Sequence, residues 1–379
     1  MIEHIEIEGF KSLEKVSLDL GALNIFVGTN ASGKTNFLEA LRVLQGIGYG
    51  YTIDEIFNGK PKGAKNDAWE GIRGGSSYAG FLGRSIVQFR VTASLPSIAE
   101  RVHYAINISP KDGSVESESL FVGDRAIYSF PPWPPVAHRV SRSGPMLGRF
   151  AGAPDAANDI PRSFREHLGD VQVLDPFPPV QRDYSTPFVA SRMGDHGENF
   201  AALIRTILRD DTKAPAYVSW LKEMTPAELD EVVVLPGAAG DWMFALRRNG
   251  KDYPAPVLSD GTLRFAAIAA AFFQPSLPST LVIEEIENGL HPTRLRLLVE
   301  LLKSQAGKGI SQVMATSHSP FAISWLKEED YRTVFLCTKD DATGATSITP
   351  FSSIPRLVEL ARKQPIADLF AEGWLESAI

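Results

Sequence analysis

The segment Gly28-Thr29-Asn30-Ala31-Ser32-Gly33-Lys34-Thr35 carries the densest chemistry in the sequence. It fits, without mismatch, the glycine-spaced pattern that cradles phosphate. Glycines let the backbone wrap tightly, so that successive N–H groups and the N-terminus of the following helix point at phosphate oxygens. Lys34 then neutralises the β- and γ-phosphate charge of ATP, and Thr35 supplies a hydroxyl to Mg²⁺. Gly28, Asn30, Ala31, Ser32, Gly33 and Asn36 complete the expected nucleotide contacts. Such a loop needs a second, acidic element to hold the metal through water and to activate the attacking water. Leu281-Val282-Ile283-Glu284-Glu285 supplies it, because an apolar strand ending in two acids delivers carboxylates to the C-terminal edge of a sheet, where open α/β sheets bind ligands. Two further segments accompany these, Leu258-Ser259-Asp260-Gly261-Thr262 before the acids and Thr316-Ser317-His318-Ser319-Pro320 after them.

The elements that must position these residues are legible from periodicity. Leu23 to Val27 is apolar and runs into the glycine loop, and Phe37, Leu38, Leu41 and Leu44 recur at helical spacing beyond it, giving strand, loop, helix. Ile5 and Ile7 alternate with Glu6 and Glu8, and Val16, Leu18 and Leu20 with Ser17 and Asp19, which predicts two half-buried strands around a Gly9-Phe10 turn. Alternation over Ile86 to Ala93 and Val102 to Ile108 extends this into an antiparallel layer. From Ser129 to Pro187 the chain is proline-rich insertion material, followed by helices over Glu198 to Arg209 and Ala214 to Met224. A strand near Trp242 to Arg247, an alanine-rich helix from Thr262 and the strand Leu281 to Ile283 return to a core. The expected division is 1–125, the N-terminal part of an ATPase head; 126–235, the proline-rich and helical insertion; and 236–379, the C-terminal part of the head.

Composition narrows the function classes. With 44% hydrophobic and 22% charged residues the chain has the balance of a soluble globular protein, and its longest apolar run, Phe265 to Phe273, is too short to span a bilayer. It reads as cytoplasmic, with no membrane partner. A single cysteine, Cys337, excludes an internal disulfide and a four-cysteine zinc site. A net charge of −7 argues against coating nucleic acid by bulk charge, while leaving a local basic patch open. No heptad pattern persists long enough for a coiled-coil arm.

In order and spacing, the four motifs resemble the ATP-binding cassette ATPases of the SMC, RecF and OLD kind. The similarity is greatest to small bacterial AAA-type ATPases with the signature LSDGT and the extension EExENGLHP. That resemblance implies an α/β P-loop NTPase fold, an ABC/SMC-like head with a mixed sheet, an antiparallel layer and a helical, loop-rich insertion. It also implies a Mg-ATP sandwich in a homodimer, extended in some cases to a higher oligomer, with each ATP on one subunit's P-loop under the other subunit's signature. Carried over residue by residue, Glu284 resembles the metal-side acid, Glu285 the general base, Ser259, Asp260 and Gly261 the signature contacts given in trans, and His318 the switch histidine. Glu287, Asn288 and His291 fall where the family has its D-loop. Two departures stand out: Glu284 replaces the usual Asp, and Asp260 stands where transporters have glycine, setting a negative charge near phosphate.

Three functions compete on these grounds. The chain is expected to be an ATPase switch controlling a separately encoded protein effector, as in phage defence. The alternative is a RecF-like ATPase of DNA repair, with DNA as partner. A transporter motor is disfavoured by Asp260 and by the insertion. Gln45 and Gln88 are candidates for a Q-loop glutamine or for ordinary helix and strand positions. Arg139, Arg142, Arg149, Arg162 and Arg165 are interspersed with acids and read as a solvated face ahead of a phosphate-binding one. Asp340-Asp341 reads as a β-turn ahead of a nuclease acidic pair.

Overall fold

The computed structural model describes residues 1–61, 69–130, 143–149, 159–225 and 229–377. Pro131, Pro132, Pro134, Pro135 and Pro154 lie outside the described residues, as do Arg139 and Arg142. The chain forms two compact units, each assembled from separated segments: Met1–Val171 with Glu328–Val358 and Leu375–Ile379, and Gln172–Lys327 with Glu359–Trp374.

In the first unit, Ile2–Phe10 and Leu13–Asp19 open a six-stranded antiparallel sheet that continues through Val87–Leu95, Ile98–Ser109, Ser114–Val122 and Arg125–Phe130. Ile5 and Ile7 are fully buried while Glu6 and Glu8 stay partly exposed, as the alternation requires. The first hairpin turns later than its glycine suggests. Phe10 is fully buried and pairs with Leu13, so the strand runs on through Gly9 and Phe10, and Lys11-Ser12 makes the turn with Lys11 at φ 50°.

Leu23–Val27 of the same unit pairs in parallel with Val334–Lys339, which pairs antiparallel with Thr346–Pro350. The latter two strands form a hairpin whose turn is fixed by Asp340: its carboxylate accepts the Thr343 N–H and hydroxyl, each at 2.7 Å. The strand Leu23–Val27 leads into the helix Lys34–Tyr49, in which Phe37, Leu38, Leu41 and Leu44 are buried as predicted. The polar residues Glu39 and Gln45 are buried too. Glu39 is paired with Lys11, and the Gln45 amide donates to the Val171 carbonyl at 2.6 Å, which gives that glutamine a structural place in the helix.

In the second unit, Thr280–Ile283 pairs in parallel with Gln312–Ser317 and has Val171–Leu174 as its other neighbour. Glu231–Pro236, Trp242–Arg248 and Lys251–Pro254 form an antiparallel ribbon. The helix Asp260–Phe273 is buried along its whole length after its first residue, which explains a composition of alanine, leucine, isoleucine and phenylalanine without an amphipathic stripe. Helices cover Phe200–Leu208, Ala214–Met224 and Pro292–Ala306. Among the described residues, no helix is long and apolar enough to cross a membrane.

Candidate functional site

In the first unit the glycine loop takes the form of a phosphate cradle. Ala31 and Gly33 have positive φ, 64° and 100°, and the helix begins at Lys34, so the loop curls and its last N–H groups precede a helix N-terminus. Gly33 is obligatory for a second reason: a Cβ there would lie 2.0 Å from Thr346 Oγ1. Thr29, Asn30 and Ala31 are exposed, while Gly28 and Ser32 are buried. The Lys34 ammonium folds over the loop and donates to the carbonyls of Gly28 at 2.7 Å and Thr29 at 2.8 Å. Those are weak neutral acceptors, which phosphate oxygens can replace with stronger charge-assisted bonds.

The loop is braced from beneath by three residues that sequence reading did not single out as a group. Thr346 Oγ1 donates to the Ser32 carbonyl at 3.1 Å, and its backbone N–H donates to the Ser12 carbonyl at 2.7 Å. The Thr346 and Ser12 hydroxyls meet at 2.7 Å, and Asn36 Nδ2 donates to Ser12 Oγ at 2.6 Å. The amide of Asn36 is thus directed at Ser12.

In the second unit the strand Thr280–Ile283 ends in the two acids. Glu285 has φ 46°, the left-handed region that a non-glycine residue occupies only when its surroundings impose it. Four contacts impose it here. The Glu285 N–H donates to Thr316 Oγ1 at 3.0 Å, the Ile286 N–H to the Thr316 carbonyl at 3.0 Å, and Arg264 Nη2 to the carbonyls of Glu284 at 2.6 Å and Glu285 at 3.2 Å. Arg264 is only 4% exposed and is also held by the Asp175 carboxylate at 3.0 Å and the Pro176 carbonyl at 2.7 Å. It was missed in the sequence, although a lone arginine between Leu263 and Phe265 is a signal, since charged residues are rarely buried without partners. The Glu285 carboxylate itself accepts from Asn288 Nδ2 at 2.7 Å.

The neighbouring segments converge on this turn. Glu287, with its side chain 10% exposed, accepts from the backbone N–H of His318 at 2.6 Å and pairs with His318 Nδ1 at 2.9 Å. His291 caps the helix Pro292–Ala306 instead, accepting the Thr293 N–H through Nδ1. Ser259 is exposed and caps the helix Asp260–Phe273, its Oγ accepting the Thr262 N–H at 3.2 Å and meeting the Thr262 hydroxyl at 2.8 Å. Gly261 is required by close packing, because a Cβ would lie 2.4 Å from the Gly289 carbonyl oxygen, so the signature turn and the loop after the acids touch through bare backbone. Asp260 is joined by Arg182 at 2.5 Å.

Away from these motifs, Arg165 donates to the Tyr49 carbonyl at 3.0 Å, and Arg162 lies 4.0 Å from both Asp159 and Glu166, positions taken up by local structure. Cys337 is fully buried, and burial pushes its thiol up to about 12, leaving it unreactive. Among the described residues, no cluster of three or more histidine, cysteine or acidic side chains could hold a metal by itself. Thr35 and Glu284 are hard oxygen donors, the chemistry that suits Mg²⁺ held chiefly by phosphates and water.

Two family models match the chain. One, described as "AAA ATPase domain", covers residues 1–58, which include the glycine loop; the other, described as "AAA domain, putative AbiEii toxin, Type IV TA system", covers residues 162–324, which include the signature, the two acids and His318. None of the curated proteins matches the chain. Among solved structures it is similar to an SMC head bound to the C-terminal winged-helix domain of ScpA, at 16% identity and a TM-score of 0.52 over 92% of this chain and 96% of that one. It is also similar to the Pyrococcus furiosus Smc head with an extended coiled coil bound to the C-terminal domain of ScpA, at 12% identity and a TM-score of 0.50 over 95% and 99%. At such identities the likeness speaks of fold. AAA models thus match both motif-bearing stretches, and the fold is that of an SMC head.

Proposed function

We propose that the protein is an ATP-hydrolysing switch that dimerises through ATP and controls a separately encoded protein effector. The observation that carries the hydrolytic part is Glu285, a carboxylate held in left-handed backbone by Thr316 and Arg264 and oriented by Asn288. A general base must be aimed before the water arrives, and strain maintained by several partners is how a site keeps such aim. In this reading Lys34 and the N–H groups of the loop bind and orient the phosphates; Thr35 and Glu284 are the residues that would hold Mg²⁺, which would neutralise developing charge. Glu285 takes the proton of the attacking water. His318, steadied by Glu287, and Ser259, at the exposed N-terminus of its helix, contact the γ-phosphate, Ser259 from the second subunit.

The solved SMC heads were captured with ScpA fragments, and one family model carries a toxin–antitoxin description, which supports a protein partner for this chain. Mixing two inactive variants tests the shared site. Lys34→Ala and Ser259→Arg each lack an intact composite site, but their heterodimer has one. Once labelled wild-type subunits are shown to exchange, partial recovery of ATPase activity on mixing is expected. No recovery, together with monomeric elution in ATP, overturns the dimer. ATPase activity raised by duplex or single-stranded DNA at physiological salt would favour the RecF-like alternative.

A further inference from the structure

An acidic residue in a turn meant to face a polyphosphate is an electrostatic contradiction, and the structure supplies its resolution. Arg182 Nη2 donates to the Leu258 carbonyl at 2.9 Å and to Asp260 Oδ1 at 2.5 Å. Leu258 and Asp260 flank Ser259, so one guanidinium brackets the serine on both sides. Its approach is built in by the segment before it. Pro178 and Pro179 begin a short helical turn, Pro178–Gln181, whose end is closed by the Arg182 N–H donating to the Pro178 carbonyl at 3.0 Å. The preceding Gln181 is 2% exposed and donates to the Leu263 carbonyl at 3.3 Å, anchoring this turn to the first turn of the signature helix. The Asp260 and Arg182 side chains remain 63% and 28% exposed, and an ion pair so open to solvent adds little to folding stability. Its consequence lies in the charge that the turn presents.

We infer that Arg182 is a positioning residue of the signature turn, which cancels the charge of Asp260 and fixes Ser259 so that an acidic turn can accept the γ-phosphate of ATP. The inference rests on the reading of Ser259-Asp260-Gly261 as a phosphate-facing turn. It makes Asp260 and Arg182 a unit: where glycine occupies the position of Asp260, no arginine is needed. Without Arg182, a bare carboxylate meets the phosphates, and like charges placed together at an interface are strongly disfavoured.

The test uses the full chain carrying Glu285→Gln, so that bound ATP persists, and reads ATP-driven dimerisation by size exclusion and binding of a fluorescent ATP analogue to dilute protein. Arg182→Ala is expected to raise the ATP concentration needed for dimerisation tenfold or more, with binding to dilute protein and the melting temperature unchanged. Arg182→Lys should retain most of the effect of arginine. The double variant Arg182→Ala, Asp260→Gly should return to within about threefold of the parent, since removal of the acid removes the need for its partner. A merely structural arginine would not be rescued in this way. Dimerisation of Arg182→Ala equal to the parent, or a double variant no better than the single one, overturns the inference alone. If the parent binds the analogue but never dimerises with ATP, the signature reading falls and the inference falls with it.

Discussion

Glu287 grips His318 at two points, accepting its backbone N–H at 2.6 Å and meeting Nδ1 at 2.9 Å. With Glu287 nearly buried and His318 more than a third exposed, the carboxylate holds the ring through its Nδ1 side. A glutamate two residues after Glu285 thereby holds a histidine thirty-one positions further along the chain.

From this, Glu287→Gln is expected to lower turnover about tenfold, the worth of one hydrogen bond to a charged group, while nucleotide affinity stays at the wild-type value. Nitrogen NMR of the His318 ring should show a loss of the Nδ1–H tautomer in the variant. An unchanged tautomer with reduced turnover would mean that Glu287 acts by some route other than the ring.

What the sequence makes legible here is what it writes contiguously. The glycine loop, the signature and the two acids each occupy a short run whose residue types carry their own chemistry, and the strand and helix flanking the loop follow from apolar periodicity. The supports are not written that way. Thr346 reaches Ser32 across 314 positions, and Arg264 reaches Asp175 across 89, so no local pattern announces either pair. Arg264 had a readable signal in its apolar setting; Thr346, one threonine following a polar turn, had none. Asn36, grouped with the nucleotide contacts by adjacency, directs its amide at Ser12 because that hydroxyl lies beneath the first turn of the helix.

The two adjacent acids are distinguished by backbone. Glu285 alone has positive φ and the Asn288 contact. Glu285→Gln should bind ATP and lose hydrolysis by a factor on the order of 10² or more, because an amide cannot accept the proton of water. It should accumulate an ATP-bound dimer on size exclusion. If Glu284→Gln does so while Glu285→Gln hydrolyses normally, the two roles are reversed.

Thr346→Val keeps the shape of the side chain but removes the hydroxyl between Ser12 and Ser32, leaving a buried carbonyl without that donor, at a cost of about 1–3 kcal/mol. The melting temperature should fall, and nucleotide affinity should fall with it, because the loop is held less firmly in its cradle conformation. Thr346→Ser, which keeps the donor, should restore affinity more fully than stability. Isothermal titration beside thermal denaturation checks both; a valine variant that melts early yet binds ATP normally would detach the brace from the cradle.

The acid limb of stability should report on His167, in the helix Asp159–Gly169. Burial, and secondarily the N-terminal ammonium, push its imidazole down to about 4. In the unfolded chain the same group titrates near 6.5. The sign follows directly: between those values the unfolded chain binds a proton that the folded one refuses, so stability that is complete above about pH 6.5 is lost as the pH falls toward 4. At pH 5 the loss from this residue is about 2 kcal/mol. Carboxylates also titrate in this range, so the informative quantity is the difference between wild type and His167→Gln, whose side chain takes up no proton. Chemical denaturation at a series of pH values should show the wild-type curve falling more steeply than the variant's between pH 6.5 and 4, with the two parallel above pH 7. Parallel curves throughout would mean that His167 is protonated in the folded protein as readily as in the unfolded one.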